Sequence, residues 1–499
     1  TQYLKRISCS GRRYKKRGGA GGQSFRNKQE ESRIPAVCIM SEERNEKTEQ
    51  NESELKDLVP QLEERFRITV WNRLLMLARW LIFAALTGLI LGLVGTAFGK
   101  GVELATEFRM EHPWILFGLP IAGLVIVWMY HWERKQERSS TNMVLDAIHA
   151  EREIPLKTAP LIFAATILTH LFGGSAGREG AALQLGGSIG NFLGKVLRID
   201  ENDRRVMIMC GMSAAFSALF GTPMAAAVFS MEVVSVGIMY YAALVPCVAA
   251  SYTAYGVACR FGLTGERFSL GILPDFTLLS AGKILILGLF CAAVSILFCV
   301  ALHKTEELFA EKFRNAYLRA VVSGCLLIVL TLLLGTTDYL GTGMQIVEQA
   351  VVEGRAFWGA FLLKILFTAV TLSGGFKGGE IVPSFFVGAT FGCIFGQLFH
   401  ISPSLAAACG MAAVFCGVTN SPISSLLISL EMFGFEGAPF FFLAIAVSYM
   451  QSGYYGLYRS QKIMYSKVKT KFINRNAKEY PAGRSGPAAV TDADSSAET

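Results

Sequence analysis

Two glycine-rich segments, each with a glutamate and each inside apolar sequence, are the places in this chain where ion chemistry could occur. They are GGSAGREG at 173–180 and GGFKGGEI at 374–381. When the two segments are aligned in sequence, Glu179 corresponds to Glu380 and Gly177 corresponds to Gly378. Glycine-broken apolar segments at matching places in two halves indicate a transporter binding site near the membrane midplane. A carboxyl at that depth is costly to bury, so a functional role is the default hypothesis.

Each break precedes a helix-like apolar run, and it therefore presents a helix N-terminus. The first amide N–H groups of a helix have no intrahelical partner, and the helix dipole adds partial positive charge there. Such an end binds anions without any side chain. Two ends that converge from two halves predict a site for a small anion, and glycines let the backbone bend and approach that anion closely.

Glu179 fits this site as a gate. A carboxylate beside an anion site competes with the anion for the same N–H groups, so the ionised form blocks the site and the protonated form releases it. One residue can therefore both gate the anion and carry a proton. The alternative is a buried ion pair with Arg178, although adjacent residues on a helix face different directions.

Glu380 places a second acid beside the same predicted site. Burial of a carboxyl favours its protonated form, so Glu380 could be a second proton site or a neutral hydrogen-bond donor. The alternative is that its side chain points to solvent or to Lys377.

Two further glutamates, Glu232 and Glu431, each close an apolar run nine residues after a proline. We interpret them as structural carboxylates at helix ends that accept backbone or hydroxyl hydrogen bonds; a proton relay is the alternative. The glycine groups at 186–190 and 388–392 are interpreted as helix packing faces, since small residues let membrane helices approach closely.

The composition is that of an all-α polytopic membrane protein. Of 499 residues, 52% are hydrophobic and 17% are charged, the mean hydropathy is +0.41, and most charge lies outside the apolar runs. Several runs are shorter than the roughly 20 residues of a straight span, which predicts tilted helices or helices that stop inside the membrane. The runs are 74–99, 113–130, 158–172, 181–197, 206–219, 223–236, 240–260, 281–302, 320–335, 357–373, 382–398, 404–417, 422–433 and 438–456.

Polar tails flank this apolar region. Residues 1–70 are basic and then acidic and are expected to be disordered, with a short helix near 53–70. Residues 71–474 would form the membrane domain, in halves of roughly 71–260 and 280–474, and 475–499 are expected to be disordered. The net charge of +8 bears on membrane orientation and not on nucleic acid, for which no partner role is predicted.

Several other classes of chemistry lack the residues they would need. The eleven cysteines are an odd number without a C-x-x-C pair, so we expect reduced thiols. No His, Cys, Asp or Glu grouping has metal-ligand spacing, and no cleavable signal peptide or nucleotide-binding module is visible. We therefore expect no metal, no cofactor and no nucleotide-binding domain.

An alternative function from another class is an intramembrane enzyme that uses Glu179 and Glu380 as an acid/base pair. The sequence lacks the nucleophile motif or the activating histidine that such an enzyme would need. His170 is interpreted as an interior residue.

Three motifs resemble those of the CLC chloride channels and proton-coupled antiporters. GREG at 177–180 is similar to the family's G-R-E-G-P signature, GGEIVP at 378–383 to its G-x-x-x-x-P signature, and GLYRSQ at 456–461 to the segment that brings a tyrosine to the anion. The resemblance covers about residues 70–470 in order and spacing. It implies an inverted repeat of two halves with broken and tilted helices, and a homodimer with one anion pathway in each subunit.

At several positions the sequence departs from the family pattern, and these departures resemble the sequences of one branch of the family. In place of the family's G-S-G-I-P loop stands STNMV at 140–144, with Met143 near the serine position. Glu380 replaces an apolar residue, the inner proton glutamate of chloride antiporters would fall at Val233, and Ala181 replaces a proline. These features resemble the fluoride-selective branch of bacterial fluoride/proton antiporters.

The resemblance implies roles for individual residues. Glu179 and Glu380 would gate the anion and transfer protons, Tyr458 would offer a hydroxyl to the anion, and Asn142 and Met143 would shape selectivity. The anion would be bound at the two breaks and at this hydroxyl by Gly177, Arg178, Gly180, Ile381 and Tyr458.

The expected function is proton-coupled fluoride export that confers fluoride resistance. The expected partners are fluoride, protons, the lipid bilayer and a second copy of the chain, in a bacterial inner membrane with both tails cytoplasmic. A chloride/proton antiporter or an anion channel of the same family is the alternative, whereas a purely structural scaffold explains neither the breaks nor the buried acids.

Overall fold

The computed structural model describes residues 34–132, 141–149, 154–271, 273–469 and 471–477, and within these ranges it describes side chains at 67–131, at 477 and, from 141 onward, up to 474. Residues 1–33 and 478–499, on which most of the two predicted disordered tails fall, lie outside the described ranges. So does Ser140.

Sixteen α-helices make up most of the described chain, and the prediction of a helical membrane protein is confirmed. Each of the fourteen predicted apolar runs overlaps a helix; the two short helices α3 and α11 were not predicted. The helices are α1 (Ile34–Glu111), α2 (Leu119–Trp132), α3 (Thr141–Ile148), α4 (Thr158–Leu171), α5 (Glu179–Val196), α6 (Glu201–Phe220), α7 (Pro223–Glu232), α8 (Leu244–Arg260), α9 (Leu278–Lys312), α10 (Ala316–Leu334), α11 (Met344–Glu348), α12 (Ala360–Ser373), α13 (Ile381–Leu398), α14 (Pro403–Thr419), α15 (Pro422–Phe433) and α16 (Ala438–Gln451).

The described chain divides into two units at Met76. The described part of the first unit is the beginning of α1, and the short helix predicted near 53–70 falls inside this helix, which extends beyond it in both directions. The second unit, from Leu77 onward, contains all the elements discussed below.

Helix length separates two classes of membrane helix in the described residues. Six helical stretches are long and apolar enough to cross a membrane, namely Arg67–Glu111, Pro113–His131, Tyr241–Arg260, Leu278–Lys312, Ala316–Leu334 and Ile381–Leu398. Five apolar helices, α4, α12, α14, α15 and α16, have only 10–17 residues. Because a straight span needs about 20 residues, these are short helices of the kind that the sequence predicts, and α4 and α12 lead directly into the two breaks.

The glycine groups bring neighbouring helices into close contact, as predicted. A Cβ atom added at Gly186 of α5 would lie 2.2 Å from the carbonyl oxygen of Gly211 in α6. In the second half, a Cβ atom at Gly388 of α13 would lie 2.5 Å from the Gly410 carbonyl oxygen in α14. Only glycine fits there, so these helix pairs present the breaks from tightly packed supports.

Glu232 and Glu431 link the two halves by a reciprocal exchange of hydrogen bonds, which confirms their predicted structural role. Each carboxylate lies in the last turn of one short helix and accepts hydrogen bonds from the first amides of the matching helix in the other half. The donors to Glu232 are the amides of Ile423 and Ser424 at 3.0 and 2.8 Å and the Ser424 hydroxyl at 2.5 Å; those to Glu431 are the amides of Met224 and Ala225 at 3.0 and 2.9 Å. The helix dipoles of α7 and α15 add to both interactions.

A small sheet supplements the helical fold. β1 (Ser235–Val236) pairs in parallel with β2 (Lys462–Tyr465), and β2 pairs antiparallel with β3 (Phe472–Asn476). The sheet was not predicted, and β3 includes the first two residues of the predicted C-terminal tail. It ties the segment after α16 to the end of α7.

The reciprocal carboxylates give a prediction about stability. Replacement of Glu232 or Glu431 by alanine leaves partly buried helix-end amides without acceptors, which should cost about 1–3 kcal/mol for each variant. Glutamine keeps one acceptor and should cost less. Thermal unfolding of the purified protein in detergent measures the effect, with the exposed Glu353→Ala as control. Alanine variants as stable as this control would contradict the role.

Candidate anion site at the two helix breaks

The two breaks meet through their backbones. The Gly177 amide donates to the Gly379 carbonyl at 2.7 Å, and the Gly379 amide donates back to the Gly177 carbonyl at 2.7 Å. A Cβ atom at Gly379 would lie 2.4 Å from the Gly180 amide nitrogen and 3.2 Å from that of Glu179. Glycine at 379 is therefore what allows the second break to lie directly against the first turn of α5.

The structure corrects the predicted overlay of the breaks by one residue. Gly173 and Gly375 share a positive φ of 90° and 94°, and α5 and α13 begin at Glu179 and Ile381 with 18 residues each. Gly177 is thus equivalent to Gly379 and not to Gly378. The prediction that Glu179 lies opposite Glu380 is wrong: the equivalent of Glu380 is Arg178.

Two more hydrogen bonds repeat with the same spacing. The Ser175 amide donates to the Thr371 hydroxyl at 3.0 Å, and the Lys377 amide donates to the Thr169 hydroxyl at 3.2 Å. The sequence alignment of the two breaks was one residue out because it paired the two glutamates. The structural equivalence is instead given by the glycine conformations and the repeated hydrogen bonds.

Glu179 lies at the first position of α5 and is 3% exposed. Its Oε2 accepts a hydrogen bond from the Arg178 amide at 2.9 Å, and the Arg178 Nε lies 3.7 Å from its Oε1. Arg178 also pairs with Glu103 of α1 at 3.2 Å. The expectation that Arg178 and Glu179 point apart is wrong, because Arg178 precedes the helix and its side chain can turn back toward the carboxylate.

The amides of this break are occupied in the present conformation. The Gly177 amide bonds to Gly379, and the Arg178 amide bonds to the Glu179 carboxylate. In this arrangement the Gly177 amide, where an anion contact is predicted, already has an acceptor. The Arg178 amide donates to the Glu179 carboxylate, which is the group predicted to compete with an anion for backbone amides.

Glu380 immediately precedes α13 and lies against α5. Its Oε2 is buried and has no hydrogen-bond partner, and it would lie 3.3 Å from a Cβ atom added at Gly180. The carboxyl also lines a cavity whose wall contains Lys377. Its Oε2 is therefore turned away from solvent, while the carboxyl as a whole borders the cavity that Lys377 also lines.

The short helix α3 brings the predicted selectivity residues to the same place. Asn142 and Met143 line the cavity that Glu380 lines. The Asn142 Oδ1 accepts a hydrogen bond from the Ser460 amide at 3.0 Å, so it holds the segment that carries Tyr458. Thr141, which was not predicted, places its hydroxyl 3.5 Å from the Gly180 carbonyl; its position beside Asn142 is the signal that could have identified it.

Tyr458 is 2% exposed, and its hydroxyl is buried without a hydrogen-bond partner. Its chain neighbours Leu457, Arg459 and Ser460 line the cavity that Glu380 lines. The segment is fixed by Gln461, whose side-chain amide donates to the carbonyls of Val233 and Thr419 at 2.9 and 2.8 Å. The predicted site residues of both halves thus gather around one buried region.

Two further buried basic residues lie in the helices that precede the breaks, α4 and α12. His170 is fully buried, and its Nδ1 lies 2.9 Å from the Thr166 carbonyl, as expected of an interior histidine. Lys364 is fully buried in α12 and was not predicted, although a lysine inside an apolar run is a visible signal. Its ammonium donates to the carbonyls of Tyr339 and Gly341 at 3.2 and 2.7 Å, and the Gly341 amide donates to the Gly174 carbonyl at 3.2 Å.

Comparison with known proteins agrees with this geometry. The family described as "Voltage gated chloride channel" matches residues 122–453. A Pseudomonas syringae pv. tomato protein described as a chloride/fluoride channel protein is 36% identical over 398 residues, which cover 78% of this chain and 88% of that protein. A Vibrio cholerae H(+)/Cl(-) exchange transporter is 24% identical over 389 residues, 70% of this chain and 81% of that protein. A crystal structure of a CLC-type fluoride/proton antiporter aligns with a TM-score of 0.75 and 33% identity, covering 78% of this chain and 98% of that one.

The contact between the breaks gives a prediction. In Gly379→Ala the new methyl group meets the Gly180 amide, so the breaks must separate, and anion efflux from proteoliposomes should fall at least about tenfold. Gly256→Ala in α8, where an added Cβ atom has nothing within 4 Å, is the control. If Gly379→Ala transported as fast as Gly256→Ala, the contact would not be needed for function.

Proposed function

Because the chain belongs to the voltage-gated chloride channel family, we propose that it is a membrane anion/proton antiporter and that its anion is fluoride. The observation that carries the proposal is the pair of carboxyls at the joined breaks: Glu179 accepts a hydrogen bond from a break amide, and Glu380 places its Oε2, buried and without a hydrogen-bond partner, beside Gly180. The export of fluoride against a proton flux would confer fluoride resistance.

Glu179 is the gate in this proposal. Its carboxylate holds the Arg178 amide, and a proton taken up by Glu179 weakens this hydrogen bond because the neutral acid is a poorer acceptor. The side chain can then leave, and the helix N-terminus of α5 becomes available to an anion. Proton binding and anion binding are thereby coupled at one position.

Glu380 supplies the second proton position. An unpartnered carboxyl oxygen in a buried place is costly, and a proton or a hydrogen-bonding ligand removes that cost. Fluoride is a strong hydrogen-bond acceptor, so protonated Glu380 can donate to it. Because Val233 stands where the inner acid of chloride antiporters would fall, Glu380 also relays the proton toward the cavity.

The remaining groups bind and select the anion. The Tyr458 hydroxyl and the Ile381 amide offer donors, and Arg178 and Gly180 contribute charge and close backbone approach. Asn142 and Met143 shape the access to the site from the cavity side, since both line the cavity and Asn142 holds the Tyr458 segment.

The same proposal includes the organisation of the molecule. Residues 71–474 form the membrane domain, with halves of roughly 71–260 and 280–474, between polar tails. The protein is a homodimer in a bacterial inner membrane, and both tails are cytoplasmic.

The test uses purified protein in liposomes loaded with potassium fluoride or potassium chloride. Efflux is recorded with an ion electrode while a pH-sensitive dye follows protons. We expect fluoride efflux to drive protons into the liposomes, and chloride efflux to be at least about tenfold slower. Chloride that moves as fast as fluoride would favour the alternative, a chloride/proton antiporter or an anion channel of this family.

Two variants separate the roles of the acids. Glu179→Gln removes the titratable gate, so anion flux should lose its coupling to protons. Glu380→Gln keeps the size of the side chain but cannot relay a proton, and coupled flux should fall. The exposed Glu353→Gln serves as control. Unchanged proton-coupled fluoride flux in Glu380→Gln would exclude the relay and leave the gate intact.

A further inference from the structure

Arg178 connects the gate carboxyl of Glu179 with an acid at the surface of the first half. Arg178 directly precedes α5, and its side chain is 11% exposed. Glu179 is buried, whereas the side chain of Glu103 near the end of α1 is 47% exposed. Glu103 lies beyond the apolar run 74–99. The three residues thus form a chain of contacts from the molecular surface to the buried break.

The guanidinium of Arg178 divides its contacts unequally between the two acids. Its Nη1 donates a hydrogen bond to the Glu103 Oε1 at 3.2 Å. Its Nε lies 3.7 Å from the Glu179 Oε1, which is beyond the length of a hydrogen bond. The gate carboxylate instead accepts from the Arg178 backbone amide at 2.9 Å. The side chain of Arg178 therefore bonds to the surface acid and only approaches the gate.

This division matters because an arginine can hold a carboxylate much more firmly. A guanidinium that donates two parallel hydrogen bonds to one carboxylate forms a strong and specific pair. Such a pair at Glu179 would keep the carboxylate ionised and in place over the break, where its Oε2 would lie 2.7 Å from a Cβ atom added at Gly177. A gate that must leave this position needs a weaker contact, and Glu103 weakens it by binding the Nη1 of Arg178.

We propose that Glu103 is a positioning residue for the gate: it holds the Arg178 guanidinium away from a full pair with Glu179, and so sets how readily Glu179 takes up a proton and leaves the break. The inference rests on the proposed role of Glu179 as the gate. Glu103 and Arg178 lie outside the wall of the cavity that Glu380 lines, so this control is separate from that cavity.

Other titratable groups also face the gate and its arginine. They are Glu266 in the segment after α8, His170 in α4, Glu380 in the second break and Tyr458 after α16. All of these groups are retained when Glu103 alone is replaced. A comparison between variants of α1 therefore isolates the contribution of Glu103.

The test is the pH dependence of fluoride efflux from proteoliposomes. In Glu103→Ala the guanidinium can turn two nitrogens to Glu179, so protonation of the gate requires a lower pH, and the pH of half-maximal efflux should fall by about half a unit to one unit. Glu103→Gln keeps an acceptor for Arg178 without the charge and should shift the profile less. Glu107→Ala removes an exposed acid one turn further along α1 and should show the native profile.

A second background shows whether Glu103 acts through Arg178. In Arg178→Gln, the further change Glu103→Ala should move the pH profile no more than Glu107→Ala does, because the group that Glu103 positions has been removed. A native profile in Glu103→Ala, a shift to higher pH, or a full shift in the Arg178→Gln background would overturn the inference.

Fluoride binding, measured by calorimetry on purified protein in detergent, extends the test to variants that do not transport. Above the pH of half-maximal efflux, Glu103→Ala should bind fluoride about threefold to tenfold more weakly than the native protein, because fluoride must displace a more firmly held carboxylate. At low pH Glu179 is protonated in both proteins, and the difference should disappear. Equal affinities at both pH values would contradict the role of Glu103.

A failure of this inference is distinguishable from a failure of the proposed function. If the native protein moved chloride as fast as fluoride, or moved either without protons, the same pH comparison with that anion would still test Glu103. If native coupling and fluoride preference held while Glu103→Ala kept the native profile, the positioning role alone would be wrong.

Discussion

The two hydrogen bonds between Gly177 and Gly379 are the interaction on which the site depends. A backbone that leaves a helix inside a membrane must find partners for its N–H and C=O groups within the protein. Here the two breaks serve as each other's partner, so both can exist only together. The pair also fixes the register, with Arg178 and Glu179 following on one side and Glu380 and Ile381 on the other.

The same mutual dependence recurs away from the site. Thr169 and Thr371 each accept the amide of a residue in the opposite break, and Glu232 and Glu431 each cap a helix of the opposite half. Either half alone would leave these amides unsatisfied in an apolar environment, at a cost of about 1–3 kcal/mol for each group. The halves therefore specify each other, and the orientation of α5 relative to α13 follows from many cross-half contacts instead of one.

The sequence predicted the helices, the breaks and the residues that gather at them, because hydrophobic runs and glycine groups are local signals. It did not predict α3, whose eight residues are too short for a clear period, or the small sheet that holds the Tyr458 segment. It also misplaced Glu380 by one position, since identical letters suggested an equivalence that glycine conformation contradicts.

The corrected register explains how a repeated fold can support a directional process. At equivalent positions the first half carries Arg178 and the second carries Glu380. Arg178 reaches Glu103 and Glu179, whereas Glu380 lies between Gly180 and the cavity. One break therefore presents a cation that contacts a carboxylate, and the other presents an acid to a cavity whose wall carries charges of both signs. Two symmetric backbones with opposite charges at one position make the two approaches to the anion site chemically different. Such a difference is what a protein needs if the proton and the anion are to travel in opposite directions through one site.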